Sequence, residues 1–444
     1  MSGRVQRHVI MFFTQGNPVL QGQVELRPLF RIDLYGEAGQ DSAMINRGFR
    51  FRLCPTAEQG DLFRQFAGVC RLVYNLALEQ RRDWYRQYEC NIGARLNYIA
   101  QARELTMLRA EFDWIAAVSQ TCQQQTLRDL DKAYANFFKG IARYPTPRKK
   151  EMNDTFRFQG REVVIRPINA RWCAVRLPKI GWVKFRNTRQ VRGTIRNATV
   201  GLAADGWHIS FSCEMEHAVP VNDKPSVGID RGVVNAIAFS DGTPPVIAPA
   251  AFARIERQRR RAQKVLCRRK RGSKRYARQR KRVSALHARS GRIRRDWLHR
   301  VSTTIARSYG TVVMEDLKVK NMTASAKGTI EEPGRMVRQK AGLNRAILAQ
   351  GWTSFASLLT YKLEERGGHL VTVNPAYTSQ TCPACDAVDA RSRKSQAVFE
   401  CVTCGHRDNA DSNAAINILR RNTASMDMEE GHRLSGEVST TKAA

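Results

Sequence analysis

Ser226-Val227-Gly228-Ile229-Asp230-Arg231-Gly232 runs into Val233-Val234-Asn235-Ala236-Ile237-Ala238-Phe239 and then the turn Ser240-Asp241-Gly242. Two short apolar runs separated by Arg231 and Gly232 read as a hairpin of two buried strands. Asp230 closes the first strand, and Gly232 grants the backbone freedom the reversal needs. A second acid ends a β-branched strand in Thr311-Val312-Val313-Met314-Glu315-Asp316-Leu317. A third, Asp411, opens a helix whose Ala414, Ala415, Ile418 and Leu419 trace an apolar face. Singly, each acid has a plain explanation as turn former, solvated strand end or helix N-cap. Together they have a chemical one, because two divalent ions about 4 Å apart need several hard oxygen ligands converging from different elements.

Four cysteines fall between the last two acids. Cys382-Pro383-Ala384-Cys385 is followed, after fifteen residues, by Cys401-Val402-Thr403-Cys404-Gly405. Two residues inside each pair let a tight turn aim both thiolates at one ion, and two such turns complete a closed, structural S4 zinc site. Two disulfides or four unrelated thiols are the alternatives, as is His406 in place of one thiolate. The other seven cysteines, Cys54, Cys70, Cys90, Cys122, Cys173, Cys213 and Cys267, are scattered singly like reduced core residues, and the total of 11 is odd. Both facts fit a reducing compartment.

The chain has 444 residues, enough for two or three domains, and its apolar share of 42% is that of a globular protein. A formal net charge of +34 and a pI near 10.4 point to a polyanionic partner, nucleic acid above all. No run of about 18 apolar residues offers a membrane span, and residues 9–13 are too short for a signal-peptide core. The expectation is therefore a cytoplasmic protein with no membrane partner, at the nucleoid when on DNA. Residues 254–300 hold 21 lysines and arginines against two acids, Glu256 and Asp296, leaving +19. Leu286, Ile293, Trp297 and Val301 keep helical spacing there, so one stripe can pack while the rest faces phosphate. The densest run, Arg268, Arg269, Lys270, Arg271, Lys274, Arg275 and Arg278, is the candidate nucleic-acid surface. A solvated helix or an address signal is its plain reading.

Upstream, Phe49-Arg50-Phe51-Arg52-Leu53 alternates as a strand, and Thr56 with Gln59 forms a capping box. Leu62, Phe66, Val69, Val73, Tyr74 and Leu78 then recur at helical intervals, and the pattern continues to Phe137 and Phe138. Pro145 and Pro147 break it inside a basic cluster. From Thr155 to Glu214 the chain alternates as strands, with a hairpin turn at Asp205-Gly206, and residues 220–225 read as a linker.

Taken in order, Gly228-Ile229-Asp230-x-Gly232, Val313-Met314-Glu315-Asp316-Leu317, Thr378-Ser379-Gln380-Thr381 with the paired cysteines, and Asp411-x-Asn413-Ala414-Ala415-x-Asn417-Ile418 resemble the TnpB proteins of insertion sequences. Those are compact, ancestor-like relatives of type V CRISPR effectors, and the similarity covers roughly residues 46–420. The resemblance implies a multidomain α+β protein: a RuvC-like RNase H-fold nuclease (223–375 and 411–420) with an inserted zinc ribbon (376–410), a small β-barrel wedge domain (46–55 and 150–222) and a helical recognition domain (56–149). Residues 1–45 would be an N-terminal extension and 421–444 a disordered tail. Asp230, Glu315 and Asp411 match the family's catalytic acids, which would hold two Mg2+ ions, with Mn2+ fitting as well. The implied activity is RNA-guided cleavage of double-stranded DNA beside a short adjacent motif, with a guide RNA derived from the transposon end, and a monomer is favoured. Two other functions stay open: a guided DNA-binding repressor that does not cut, and a strand-transfer transposase. The second needs transposon-end recognition, for which the sequence shows no defensible helix-turn-helix signal.

Overall fold

Phe49, Phe51 and Leu53 alternate with Arg50, Arg52 and Cys54, and they form β1 (Ser42–Cys54) with the first set buried and the second exposed. The computed structural model describes residues 42–422, apart from 91, 92, 94, 95, 153 and 330. Of the expected N-terminal extension, residues 1–41 lie outside the described residues, as does the tail beyond 422, whereas residues 42–45 are not an extension but the start of β1. Two compact units, Met1–His217 and Ala218–Ala444, each hold a core of their own.

In the first unit, Thr56 caps α1 (Ala57–Trp84) through the expected box, its hydroxyl accepting from Gln59 N at 3.2 Å while Gln59 Oε1 accepts from Thr56 N at 3.2 Å. α1, α2 (Tyr98–Glu111) and α3 (Gln120–Phe138) bury Phe63, Phe66, Leu105 and Leu127 against a sheet. That sheet has β2 (Thr155–Gln159), β3 (Val164–Asn169), β4 (Trp172–Leu177), β5 (Gly181–Arg186), β6 (Thr194–Ala203) and β7 (Gly206–Ala218) beside β1, in the order β2-β6-β7-β1-β5-β4-β3. Its two edge strands are consecutive in the chain. Gln159 and Val164 are five steps apart, a reach of at most about 18 Å, whereas a flat sheet would separate its edges by roughly 29 Å. The sheet must therefore curl until its edges approach, which gives it a barrel-like form. The β6–β7 hairpin turns at Ala204-Asp205, one residue earlier than the Asp-Gly signal suggests, because Gly206 with φ 122° already pairs with Ala203.

The second unit is built on β8 (Val227–Asp230), β9 (Asn235–Phe239), β10 (Val246–Ile247), β11 (Thr311–Glu315) and β12 (His369–Val373), ordered β10-β9-β8-β11-β12. β8 runs antiparallel to β9 and parallel to β11, which is parallel to β12. The central strands are covered on both faces, so Val227, Gly228 and Ile229 and the run Val312, Val313 and Met314 are continuously buried. Between β10 and β11 lie α4 (Ala250–Cys267) and α5 (Lys274–Ser308), which pack on each other, and α6 (Val337–Gln350) and α7 (Trp352–Glu364) precede β12. Trp297, Leu298 and Ile305 of α5 join Phe355, Leu359 and Leu363 of α7 in the core over β8 and β11. Each such side chain contributes about 1.5–3 kcal/mol by leaving water.

Three expectations need correction. The buried stripe of α5 is Trp297, Leu298, Ser302, Ile305 and Ala306, while Leu286, Ile293 and Val301 are half-buried, because only the C-terminal half of this 35-residue helix reaches the sheet. Cys54, Cys90 and Cys267 are exposed, unlike the buried Cys70, Cys122, Cys173 and Cys213; Cys54 stands on the outward side of the alternation in β1. The final helix, α8 (residues 410–422), continues two residues into the expected tail, where Arg421 donates to the Asn374 carbonyl at 2.6 Å and Asn422 is buried.

Candidate metal centres and nucleic-acid interface

Register places the first two acids side by side. Ile229 of β8 lies beside Met314 of β11, so Asp230 and Glu315, the next residues along these parallel strands, end at the same edge of the sheet. Strands so paired are about 4.8 Å apart. Asn235, which opens the antiparallel β9 at that edge, donates from Nδ2 to Asp411 Oδ2 at 2.9 Å. All three carboxylates thus converge at one end of the sheet from β8, β11 and α8.

Asp411 does not cap its helix. Asn409 does so, its Oδ1 accepting from Asp411 N at 2.9 Å and Ser412 N at 3.4 Å, which leaves the Asp411 carboxylate available. α8 reaches the site because Gly228 lets it. A Cβ at that position would stand 2.1 Å from the Ala415 carbonyl oxygen and 2.9 Å from Leu419 Cβ, so only glycine allows β8 and α8 to approach this closely. Two buried asparagines one turn apart hold the other side. Asn413 Nδ2 donates to the Thr381 carbonyl at 3.0 Å, and Asn417 Nδ2 donates to the carbonyls of Thr378 at 2.9 Å and Thr381 at 2.7 Å. Thr378 in turn donates from Oγ1 to Glu315 Oε1 at 2.5 Å.

These contacts set the electrostatics. Burial, then the charges of Glu315 and Asp411, push Asp230 up to about 7, partly offset by Arg393. Asp230 as a whole residue is half-buried rather than fully enclosed. Arg393 Nη2 lies 3.7 Å from Asp411 Oδ1. Arg231 is buried, donates from Nη2 to the Glu315 carbonyl, and leaves its Nε without a partner. Sequence reasoning assigned no role to Arg231, Asn235, Thr378, Arg393, Asn413 or Asn417. Asn235, Thr378, Asn413 and Asn417 lie inside the quoted motifs; Asn235 and Asn417, polar residues amid apolar runs, carried a local signal, whereas Thr378 and Asn413, with polar neighbours, did not. Arg393 had none, since only folding brings it to Asp411.

The four paired cysteines form one cluster whose sulfurs all lie within 4.8 Å of one another. Cys382 and Cys404 are 3.6 Å apart at sulfur, as are Cys385 and Cys401. A disulfide requires about 2.05 Å, whereas the edge of a tetrahedron with Zn–S bonds of about 2.3 Å is about 3.8 Å. Each turn also aims an amide at sulfur, Ala384 N to Cys382 Sγ and Thr403 N to Cys401 Sγ, both at 3.4 Å. His406 is not in the cluster; its carbonyl accepts from Cys401 N at 2.8 Å. The site fits a structural zinc ion. Behind it, β13 (Val398–Glu400) pairs with β14 (Arg407–Asn409), whose last residue is the cap of α8.

Arg268, Arg269, Lys270, Arg271, Lys274, Arg275 and Arg278 are all exposed on the end of α4, the connecting turn and the start of α5. Their positive field is set beyond the half of α5 that enters the core. Among the described residues, no helix is long and apolar enough to cross a membrane.

Three family profiles match the chain: one described as "Helix-turn-helix domain" over residues 44–90, one as "Probable transposase", of the OrfB proteins of IS605, over 210–326, and one as "Cas12f1-like, TNB domain" over 352–418. The first spans a strand and one long helix, so no helix-turn-helix geometry occurs among the described residues there. "Putative RNA-guided DNA endonuclease InsQ" of Escherichia coli (strain K12) is 39% identical over 378 residues, 84% of this chain and 91% of that protein. A protein of Streptomyces pristinaespiralis with the same description but no individual name is 29% identical over 416 residues, 89% of this chain and 94% of its own. In fold, the chain is similar to Cas12f1 from a cryo-EM complex with sgRNA and target DNA, with a TM-score of 0.55 at 15% identity, over 84% of this chain and 98% of that one. The ordered motifs, their convergence in space and the near full-length match place the chain in the TnpB family of insertion-sequence proteins.

Proposed function

We propose that the protein is an RNA-guided DNA endonuclease whose second unit is a RuvC-like, RNase H-type nuclease. The observation that carries this reading is the convergence of Asp230, Glu315 and Asp411 at one sheet edge. Like charges gathered in a partly buried place cost free energy unless cations balance them. The donor set is all oxygen, and Asp230 is raised to about 7 without metal despite the opposing effects of Arg393 and of the Arg231 backbone amide, an arrangement that suits hard divalent cations. Asp230, Glu315 and Asp411 would hold two Mg2+ or Mn2+ ions, which when bound would supply Lewis acidity and an activated water for in-line phosphodiester hydrolysis. No nucleophilic side chain is then needed. Asn235 orients Asp411, the Thr378 hydroxyl fixes Glu315, and Arg231 ties down the end of β11 through the Glu315 carbonyl.

The other parts have roles that follow from the same reading. The basic α4–α5 hairpin reads backbone shape rather than bases, as suits recognition in which Watson-Crick pairing supplies sequence. The curled sheet and helices of the first unit serve as wedge and recognition domains for the guide and for the short motif beside the target. The names of the relatives support a guided endonuclease, and transposon maintenance is the role such cutting would serve. The test is cleavage of a plasmid library by the copurified ribonucleoprotein in Mg2+, with Asp230→Ala as the control and both RNA and DNA ends sequenced. Guide-matched breaks lost in the variant support the proposal; a bound guide with intact DNA in both samples leaves a binder that does not cut.

A further inference from the structure

The helical part of the first unit carries a cavity that the nuclease reading leaves unused. It has a volume of about 670 Å3, inside the roughly 300–1,000 Å3 of ligand sites. Its walls are arginines and aromatic rings from the end of α1 and the turn that follows it, from the end of α3 and from the segment after it, with Leu96 as the one aliphatic contribution. Phe138 is 76% exposed, Tyr85 57% and Tyr144 42%, an unusual amount of ring surface to leave in water. The rings are ordered. Tyr134 and Phe138, one turn apart on α3, are stacked with centroids 6.2 Å apart, and Tyr144 meets Tyr134 edge-on with the two hydroxyls 2.9 Å apart. The chain after Tyr144 is fastened by Asn75, which accepts from Arg148 N at 2.8 Å and donates to its carbonyl at 3.1 Å. Arg81 lies 5.2 Å over the Tyr134 ring and is tied to Asp131. Arg86 is exposed at the rim, with no acid partner among the described residues.

We infer that this cavity takes an unpaired nucleobase, stacked on the Phe138 and Tyr144 surface with its phosphate at Arg86. The inference rests on the nucleic-acid reading above and adds a site to it. A flat π face beside an anion satisfies both the rings and the guanidinium group, whereas an apolar peptide would cover the rings and leave arginine charge without a partner. Guide RNA and displaced single-stranded DNA present the same chemistry.

Short-wave ultraviolet irradiation of the full-length ribonucleoprotein, alone and with target DNA, followed by mass spectrometry of its peptides, tests the site. A nucleotide adduct on the peptide carrying Phe138 or Tyr144 is expected, and its mass separates ribose from deoxyribose and so names the source. Phe138→Leu and Arg86→Gln alter exposed side chains, so their melting temperatures should match the parent. Phe138→Leu should weaken binding of a labelled single-stranded oligonucleotide by about 5- to 100-fold, the loss of one stacked base. Parental affinity in both variants with no adduct in this region would overturn the site and leave the nuclease reading standing. A parent chain that holds no nucleic acid at all would overturn both.

Discussion

Asp230→Asn should stabilise the protein in the absence of Mg2+. Asp230 is pushed from its ordinary 3.8 up to about 7 by burial and by Glu315 and Asp411. A carboxyl raised in the folded state contributes stability that is full below its unfolded pKa and is lost as pH rises through the folded one, so the cost is complete only above about pH 7. Three units correspond to about 4 kcal/mol, and because the residue is half-buried rather than fully enclosed, about half of that is the working figure. For a unit of this size about 2 kcal/mol moves Tm by roughly 4–8 °C. The assay is thermal unfolding of zinc-loaded, Mg2+-free protein at pH 8 and pH 5. The variant should melt higher at pH 8, and its advantage should shrink to less than half at pH 5. Mg2+ should then raise Tm of the parent by mass action and do less for the variant. A variant less stable than its parent at pH 8, or an advantage indifferent to pH, would refute the argument that the three charges oppose one another.

Gly228→Ala should abolish cleavage and cost about 1–3 kcal/mol, since its Cβ would stand 2.1 Å from the Ala415 carbonyl oxygen and must displace α8 with Asp411; a variant with parental kinetics and Tm would sink this. Asn417→Ala takes the Asn417 donor from the Thr378 carbonyl and leaves the Thr381 carbonyl to Asn413, and should cost about 1–3 kcal/mol in chemical unfolding, with a larger fall in cleavage rate than in guide binding. Removing zinc by chelation, or Cys404→Ser, should release the ribbon that places the Asn409 cap, measured as loss of metal by mass spectrometry together with loss of cutting. Replacing Arg268, Arg271, Lys274 and Arg275 with glutamine should weaken RNA binding at every sequence alike and flatten its salt dependence, read from a series of titrations in KCl.

The order of motifs was enough to single out the three acids and the four thiolates as candidates, and charge composition the basic segment, because each leaves a local mark: a strand that stops at a carboxylate, a turn that holds two cysteines, a helix overloaded with charge. Periodicity likewise marked β1 and the start of α1, where alternation and a capping box are decided within a few residues. What connects those pieces is long-range and was decided only by the tertiary structure. Asn235 finds Asp411 across 176 residues, Arg393 closes on the same carboxylate, and Thr378 reaches Glu315 from the foot of the ribbon. Asn409, not Asp411, takes the cap because the helix begins where β14 ends, and no propensity distinguishes two neighbouring cap formers. The shift of Asp230 has the same origin: a lone acid at a strand end ionises as in water, and only the packing of β11 and α8 beside β8 supplies the burial and opposing charges.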